Sequence, residues 1–250
     1  MAEEIAVLMA AGMGTRMRPL TEKTAKPLVK VKGKAMIETV IEGLKARGVK
    51  RFYVVTGYKG EQFEPLTEKY TDAAAGTSLQ IIKNEVFETV NNISSIYAAC
   101  KTEAENGESI IGCADMFICE ADLYIPDSKV FMAELDRSCY FGRMVEGYSD
   151  DWVFEQDSAG RITRVGKQGR DVYNMVGISF FKKEDAKILN EAMMEVYGKP
   201  GYEDLFWDDV VNANLNKLNL TVHPIEENEI TEIDSCDELA VVDPDYEKWN

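Results

Sequence analysis

The sequence predicts a single-domain α/β fold: a mostly parallel central sheet flanked by helices, with an antiparallel β elaboration in its second half. Three observations predict it. Short β-branched and aromatic runs alternate with segments of helical period between residues 5 and 100, the β-α-β-α-β order of a parallel sheet. A glycine-containing loop follows the first apolar run directly, where α/β folds place their ligands. From residue 138 to 181 the pattern changes to alternating strands joined by a tight turn.

The elements follow in order. Ile5–Met9 is a short buried strand. Residues 36, 37, 40, 41 and 44 are apolar at helical spacing, and Gly48 closes that helix as a C-cap. Arg51–Thr56 and Ser78–Lys83 are the next strands, with a helix over Glu61–Tyr70 despite Pro65. A helix starts at Ile93 behind two asparagines, either of which can cap it. Ser109–Ala114 is read as a fourth strand that ends on Asp115. Asp157-Ser158-Ala159-Gly160 turns between two antiparallel strands, and Val172–Phe181 is a further strand. Helices are expected over Asp185–Tyr197 and Glu203–Leu215, then a strand over Leu220–Pro224. No repeat, linker or low-complexity tract divides the 250 residues.

Composition bounds the function. The net charge of −16 argues against nucleic acid as a general partner. Residues 16–34 run against that balance, with seven Lys/Arg and one acid, Glu22. This points to one local anion site or to a solvated loop. No stretch approaches the ~18 apolar residues of a membrane span, so membrane insertion is not expected. The opening Met1-Ala2-Glu3-Glu4 lacks the basic region of a signal peptide. Five cysteines, odd in number and without metal-ligand spacing, read as reduced thiols of a cytoplasmic protein.

Residues 6–28 are the most informative stretch. Leu8, Ala10 and Ala11 lead into Gly12, Met13, Gly14, Thr15 and Arg16, and Lys26-Pro27 follows. The glycines allow a tight turn and a close approach of backbone to ligand. Their free N–H groups can cradle an anion. Arg16 and Lys26 can hold phosphate oxygens, one as a fork and one as a point charge. Met17 stands where a dinucleotide fingerprint needs its third glycine, and no Gly-Lys-Ser/Thr follows.

The whole string resembles the signature of the nucleotidyltransferases that join a nucleoside triphosphate to a phosphorylated small molecule. That family reads Leu-Ala-Ala-Gly-x-Gly-x-Arg-x-x-Pro-Leu-Thr and then carries a Pro-Lys pair. Here Met9 replaces an alanine, and the lysine precedes its proline. Asn91-Asn92-Ile93-Ser94-Ser95-Ile96-Tyr97 is similar to a stretch of the bacterial choline-phosphate cytidylyltransferases. The resemblance implies a Rossmann-like nucleotidyltransferase fold, with residues 5–137 the nucleotide-binding half and 138–240 the acceptor-binding half. It implies nucleotide contacts from Leu8, from Ala10 through Arg16, and from Lys26, Asn84, Asn92 and Ser95. It also implies catalytic roles for Arg16, Lys26 and Asp115.

A metal is implied as well. Family members carry a Mg²⁺-binding aspartate that the resemblance sets at Asp115, in Cys113-Ala114-Asp115. The Glu232-Ile233-Asp234-Ser235 string matches the second, at Asp234. Capping the following helix is an equal reading of Asp234 on local sequence alone. Two carboxylates with phosphate oxygens and water make a typical Mg²⁺ shell.

Trp152, Tyr173, Phe206 and Trp207, with Asp208, could box a quaternary ammonium by cation–π contact, although each alone is more often core. Leu205-Phe206-Trp207-Asp208 is similar to the corresponding stretch of the choline-phosphate enzymes. The expectation is therefore CTP and phosphocholine as substrates, CDP-choline and pyrophosphate as products, and Mg²⁺ as cofactor. A sugar-1-phosphate nucleotidyltransferase and an aminoalkylphosphonate cytidylyltransferase are the alternatives. A catalytically silent nucleotide-binding regulator is a third, and keeping Arg16, Lys26, Asp115 and Asp234 together counts against it.

Overall fold

Strand β1 (Glu4–Ala10) is apolar over nearly its whole length because it has a neighbour on either edge and a layer on either face. The computed structural model describes residues 3–249; Met1 and Ala2, where the signal-peptide reading begins, lie outside the described residues. A small hairpin follows β1, strands β2 (Lys30–Val31) and β3 (Lys34–Ala35). Helix α1 (Met36–Arg47) then ends on Gly48 at φ 110°, a left-handed C-cap that glycine adopts without strain. Strands β4 (Arg51–Thr56) and β5 (Ser78–Lys83) are joined by a 3₁₀ turn and helix α2 (Glu64–Tyr70), and Pro65 sits in its first turn, where it removes no needed donor.

Helix α3 (Ile93–Cys100) precedes strand β6 (Asp115–Glu120) and the short strand β7 (Leu123–Tyr124). The long strands β8 (Cys139–Gln156) and β9 (Ile162–Phe181) form the antiparallel part, around the expected turn at Asp157. Helices α4 (Lys183–Val196) and α5 (Trp207–Ala213) lead to strands β10 (Thr221–Pro224) and β11 (Thr231–Glu232), then helix α6 (Cys236–Val242). No helix among the described residues is long and apolar enough to cross a membrane.

Seven strands make the main sheet in the order β10-β8-β9-β6-β1-β4-β5. Strand β9 runs against its neighbours β6 and β8, while β1, β4, β5 and β6 are parallel to one another. Successive side chains of β1 point to opposite faces. Ile5 and Val7 pack with α3, α4 and α5; Ala6 and Leu8 pack with α1 and α2. A third, smaller cluster joins Met17, Val29 and Met36 to Ile233 and Leu239, fastening the glycine-loop segment to α6 and the residues just before it. Cys100, Cys113, Cys119 and Cys139 are buried thiols within these layers.

The structure corrects one strand in a way that matters for the site. The fourth parallel strand is not Ser109–Ala114 but Asp115–Glu120, so Asp115 opens it instead of closing it. Gly112 explains the shift. It sits at φ 103° with the backbone of Lys187 close by, and an added Cβ would lie 3.1 Å from Lys187 Cα. The chain turns there against α4 and becomes extended only afterwards. The helix expected over Glu203–Leu215 is likewise shorter, starting at Trp207.

Candidate active site

Strand β1 delivers the chain to a loop whose shape is fixed by hydrogen bonds. Gly14 has φ 59°, and an added Cβ would meet Lys26 Cβ at 2.7 Å, so glycine alone fits. Thr21 Oγ1 donates to the Gly14 carbonyl at 2.8 Å, and the Tyr58 amide donates to the Ala11 carbonyl at 3.1 Å. Gln62 holds the far side: its Oε1 accepts the Ala25 amide and its Nε2 donates to the Lys23 carbonyl, both at 2.9 Å. These contacts set Lys26 at the base of the loop with only 7% of its surface exposed.

The Lys26 ammonium joins two acids from distant parts of the chain. Nζ donates to Asp122 Oδ2 at 2.6 Å and to Asp234 Oδ1 at 2.5 Å. Asp234 also pairs through Oδ2 with Arg16 Nη2 at 2.8 Å. Around them opens a cavity of about 340 Å³, within the usual range for a small-molecule site. The glycine loop forms one wall, Asn92 and Ser95 a second, and Glu120, Asp122, Glu232 and Asp234 the acidic third. The cavity opens at the carboxyl ends of β1 and β6, as expected for a parallel sheet.

The charges in this wall perturb one another. Burial would push the Lys26 ammonium down, but Asp122 and then Asp234 outweigh it and hold its pKa above the ordinary value. Glu232 is pushed up to about 8 by burial and then by Asp122 and Asp234. Glu120 is raised well above its usual range by burial and then by Glu232 and Asp122. One buried lysine therefore does not balance the acids, and the all-oxygen wall suits a hard divalent cation. Asp122 and Asp234 are the pair that could hold it. No group of three or more His, Cys, Asp or Glu disposed for a metal occurs among the described residues, so further ligands would come from phosphate or water.

Of the residues singled out by sequence, Ala10, Ala11, Gly12, Gly14, Thr15, Arg16, Lys26, Asn92, Ser95 and Asp234 line this cavity. Leu8 is buried beneath it and Met13 is an exposed loop residue; neither lines it. Asn84 supports the site from behind, its Nδ2 donating to Ser94 Oγ at 2.8 Å and to Ser95 Oγ at 3.2 Å. Asn92 Oδ1 accepts the Trp207 amide at 3.0 Å, tying α3 to the start of α5.

Asp115 is elsewhere. It pairs with Glu4 at the amino end of the sheet, and its carboxylate accepts from Lys182 Nζ and from the Lys183 amide at 2.8 Å. Six residues of extended chain set it about 16 Å from Glu120. The acid that meets Asp234 across Lys26 is Asp122. Glu120, Asp122 and Glu232 were missed in the sequence, although a legible signal exists. The apolar run Met116–Cys119 has acids at both ends, and Glu120-Ala121-Asp122 places two carboxylates where the strand finishes.

The aromatic residues do not converge on the cavity. Trp152 and Phe206 meet edge to face with centroids 5.2 Å apart. Their cation is already supplied: Lys167 Nζ lies 5.7 Å from the Trp152 centroid and 5.2 Å from that of Phe206. Tyr173 packs on the core cluster, and Trp207 is buried against Tyr140. Asp208 is buried too, accepting from Tyr140 Oη at 2.9 Å.

Burial, with a smaller push from the Asp209 charge, raises Asp208 to about 7 against the opposing Tyr140 hydrogen bond. The folded chain keeps that proton up to about pH 7, whereas the unfolded chain releases it near 3.8. Folding thus takes up a proton between those values, and stability falls as pH rises across them. Asp208→Asn is expected to remove this slope and to stabilise the protein at pH 8 by about 2–4 kcal/mol. Thermal melts from pH 4 to 8 check it; an unchanged slope would show that the group does not titrate as stated.

The profile described as "Nucleotidyl transferase" matches residues 5–132. The chain is 48% identical over 241 residues to a 2-aminoethylphosphonate cytidylyltransferase of Lancefieldella rimae, covering 96% of this chain and 92% of that one. It is 31% identical to a choline-phosphate cytidylyltransferase of Streptococcus pneumoniae, covering 92% and 93%. The solved structure of the CTP:phosphocholine cytidylyltransferase from Streptococcus pneumoniae superposes with a TM-score of 0.81 at 30% identity, covering 97% of this chain and 98% of that one. The fold, the glycine loop over a buried lysine and these likenesses agree, and the chain belongs to the nucleotidyl transferase family, as an enzyme whose relatives are cytidylyltransferases.

Proposed function

We propose that the enzyme transfers the cytidylyl group of CTP to 2-aminoethylphosphonate and releases pyrophosphate. The observation that carries this choice over phosphocholine is the pairing of Lys167 with Trp152 and Phe206, none of which lines the carboxylate-walled cavity. Trimethylammonium wants aromatic faces and donates no hydrogen bond. A primary ammonium has three donors and suits carboxylate and amide oxygens. The Lancefieldella rimae relative, named for this acceptor, supports the reading. The Streptococcus pneumoniae relative supports phosphocholine as the second reading, for which Lys167 would have to leave the aromatic pair.

In the transfer, a phosphonate oxygen attacks the α-phosphorus, a new P–O–P link forms, and the bond to the β-phosphate breaks. The attacking group, like a phosphate monoester, is largely dianionic near neutral pH and needs no base to unmask it. The one histidine, His223, is on β10 and plays no part in the cavity wall. Lys26 and Arg16 would place positive charge beside the triphosphate oxygens, and the loop amides would fix their position. Asp122 and Asp234 would hold Mg²⁺, which neutralises charge on phosphate oxygens when bound. Asn92 and the Asn84-supported Ser95 hydroxyl offer polar groups to a pyrimidine edge. Residues 5–137 would thus serve the nucleotide and 138–240 mainly the acceptor, in the cytoplasm, where CTP is made.

Pyrophosphate release over a panel of nucleotides and acceptors tests this. CTP with 2-aminoethylphosphonate is expected to give the highest kcat/KM, at least tenfold above phosphocholine. A higher value for phosphocholine or for a sugar 1-phosphate would overturn the acceptor assignment.

A further inference from the structure

Beside the main cavity lies a smaller one of about 120 Å³, room for about four water molecules at ~30 Å³ each. Arg143, Asp151, Asn174 and Met175 line it, and Glu232 belongs to the walls of both spaces. Strand pairing explains the grouping. Arg143 of β8 stands directly opposite Asn174 of β9, and a second stretch of β8, at Val153, pairs with Asn174 from its other side. Register shifts between Val145 and Val153 bend β8 back to make that possible.

Four buried side-chain polar atoms have no hydrogen-bond partner among the described residues, and two of them are here: Arg143 Nε and Asn174 Oδ1. Arg143 is itself fixed, since its Nη2 donates to the Ile230 carbonyl at 2.5 Å. A buried donor and a buried acceptor left open on two residues that face each other in register are costly unless something meets both. What meets both must bring an acceptor to the guanidinium N–H and a donor to the amide oxygen.

Resting on the cytidylyl-transfer reading above, we infer that this cavity is the acceptor subsite and that it selects an aminoalkyl phosphonate or phosphate by its free amine. Asn174 Oδ1 takes one ammonium N–H, and the Asp151 carboxylate at the mouth balances the charge. Arg143, which lines the same cavity as the shared Glu232, would offer its Nε–H to the oxyanion end. A trimethylated amine has no N–H for Asn174, so this pair discriminates where aromatic faces would not.

The test uses the full chain with CTP and Mg²⁺, and two acceptors: 2-aminoethylphosphonate and its N,N,N-trimethyl analogue. Asn174→Leu keeps the branching of the side chain and removes the acceptor atom. It is expected to raise KM for the free amine by roughly 10- to 100-fold, the loss of one hydrogen bond from a charged donor. KM for CTP and the use of the trimethyl analogue stay within about twofold, so the preference collapses by the same factor. Asn174→Asp, which restores an acceptor oxygen, recovers the preference and serves if the leucine variant does not fold. Equal losses on both acceptors, or none on either, overturn the subsite while leaving the transfer reading intact. An unaltered enzyme that binds CTP but uses neither acceptor overturns the reading and the subsite together.

Discussion

Asp122→Asn is expected to lower kcat by roughly 10²–10³-fold, whereas Asp115→Ala leaves kcat of the folded enzyme within a few fold. Both acids border the same strand, so the contrast isolates position. Asp122 shares Lys26 with Asp234 on the cavity wall, and the pair is the candidate holder of a divalent cation. Asp115 serves Lys182 and the start of α4 at the other end of β6. Its loss leaves a lysine and a helix amide without their partner, at a cost of about 1–3 kcal/mol. For a chain of this size that lowers Tm by about 2–12 °C. Paired kcat and Tm measurements on the two variants decide. A dead Asp115→Ala enzyme with wild-type Tm would return the catalytic role to Asp115.

Lys26→Ala has the other large effect. Removing one charge that stabilises shifting phosphate charge typically costs roughly 10²–10³-fold in rate. Here the lysine is also the buried counter-ion of Asp122 and Asp234, and breaking such a pair costs about 3–5 kcal/mol. The variant should therefore melt early in a chelator and recover part of its Tm when millimolar Mg²⁺ is added, more than the unaltered enzyme gains. The recovery separates charge compensation from misfolding. An unchanged kcat with only a higher KM for CTP would remove Lys26 from the chemistry.

The sequence was most legible where one local rule decides. Gly14 after an apolar strand, Gly48 after an amphipathic run and Gly160 in the Asp157 turn each take a left-handed backbone that few residues adopt, and each stands where expected. It was least legible where two elements compete for one segment. Ile110 and Ile111 satisfy strand propensity, yet they are core residues of a turn whose course depends on α4 packing over Gly112. That misplacement put Asp115 at the amino end of β6, apart from Asp234 and the cavity. The arrangement of the aromatic group was illegible for a different reason. Trp152, Phe206 and Trp207 carry the right chemistry for a cationic ligand, but only three-dimensional structure shows Lys167 on two of them and Tyr140 on the third.

The bridge from Lys26 to Asp234 spans 208 residues of chain, and that has a meaning for the protein while it is being made. At about 5–20 residues per second, a ribosome needs roughly 10–40 s between the two. For that interval the glycine loop, which the family profile covers, exists without Glu232, Asp234 or the segment that fastens it through Ile233 and, in α6, Leu239. The acidic wall of the cavity is therefore complete only once residues 232–234 have emerged, long after the glycine loop.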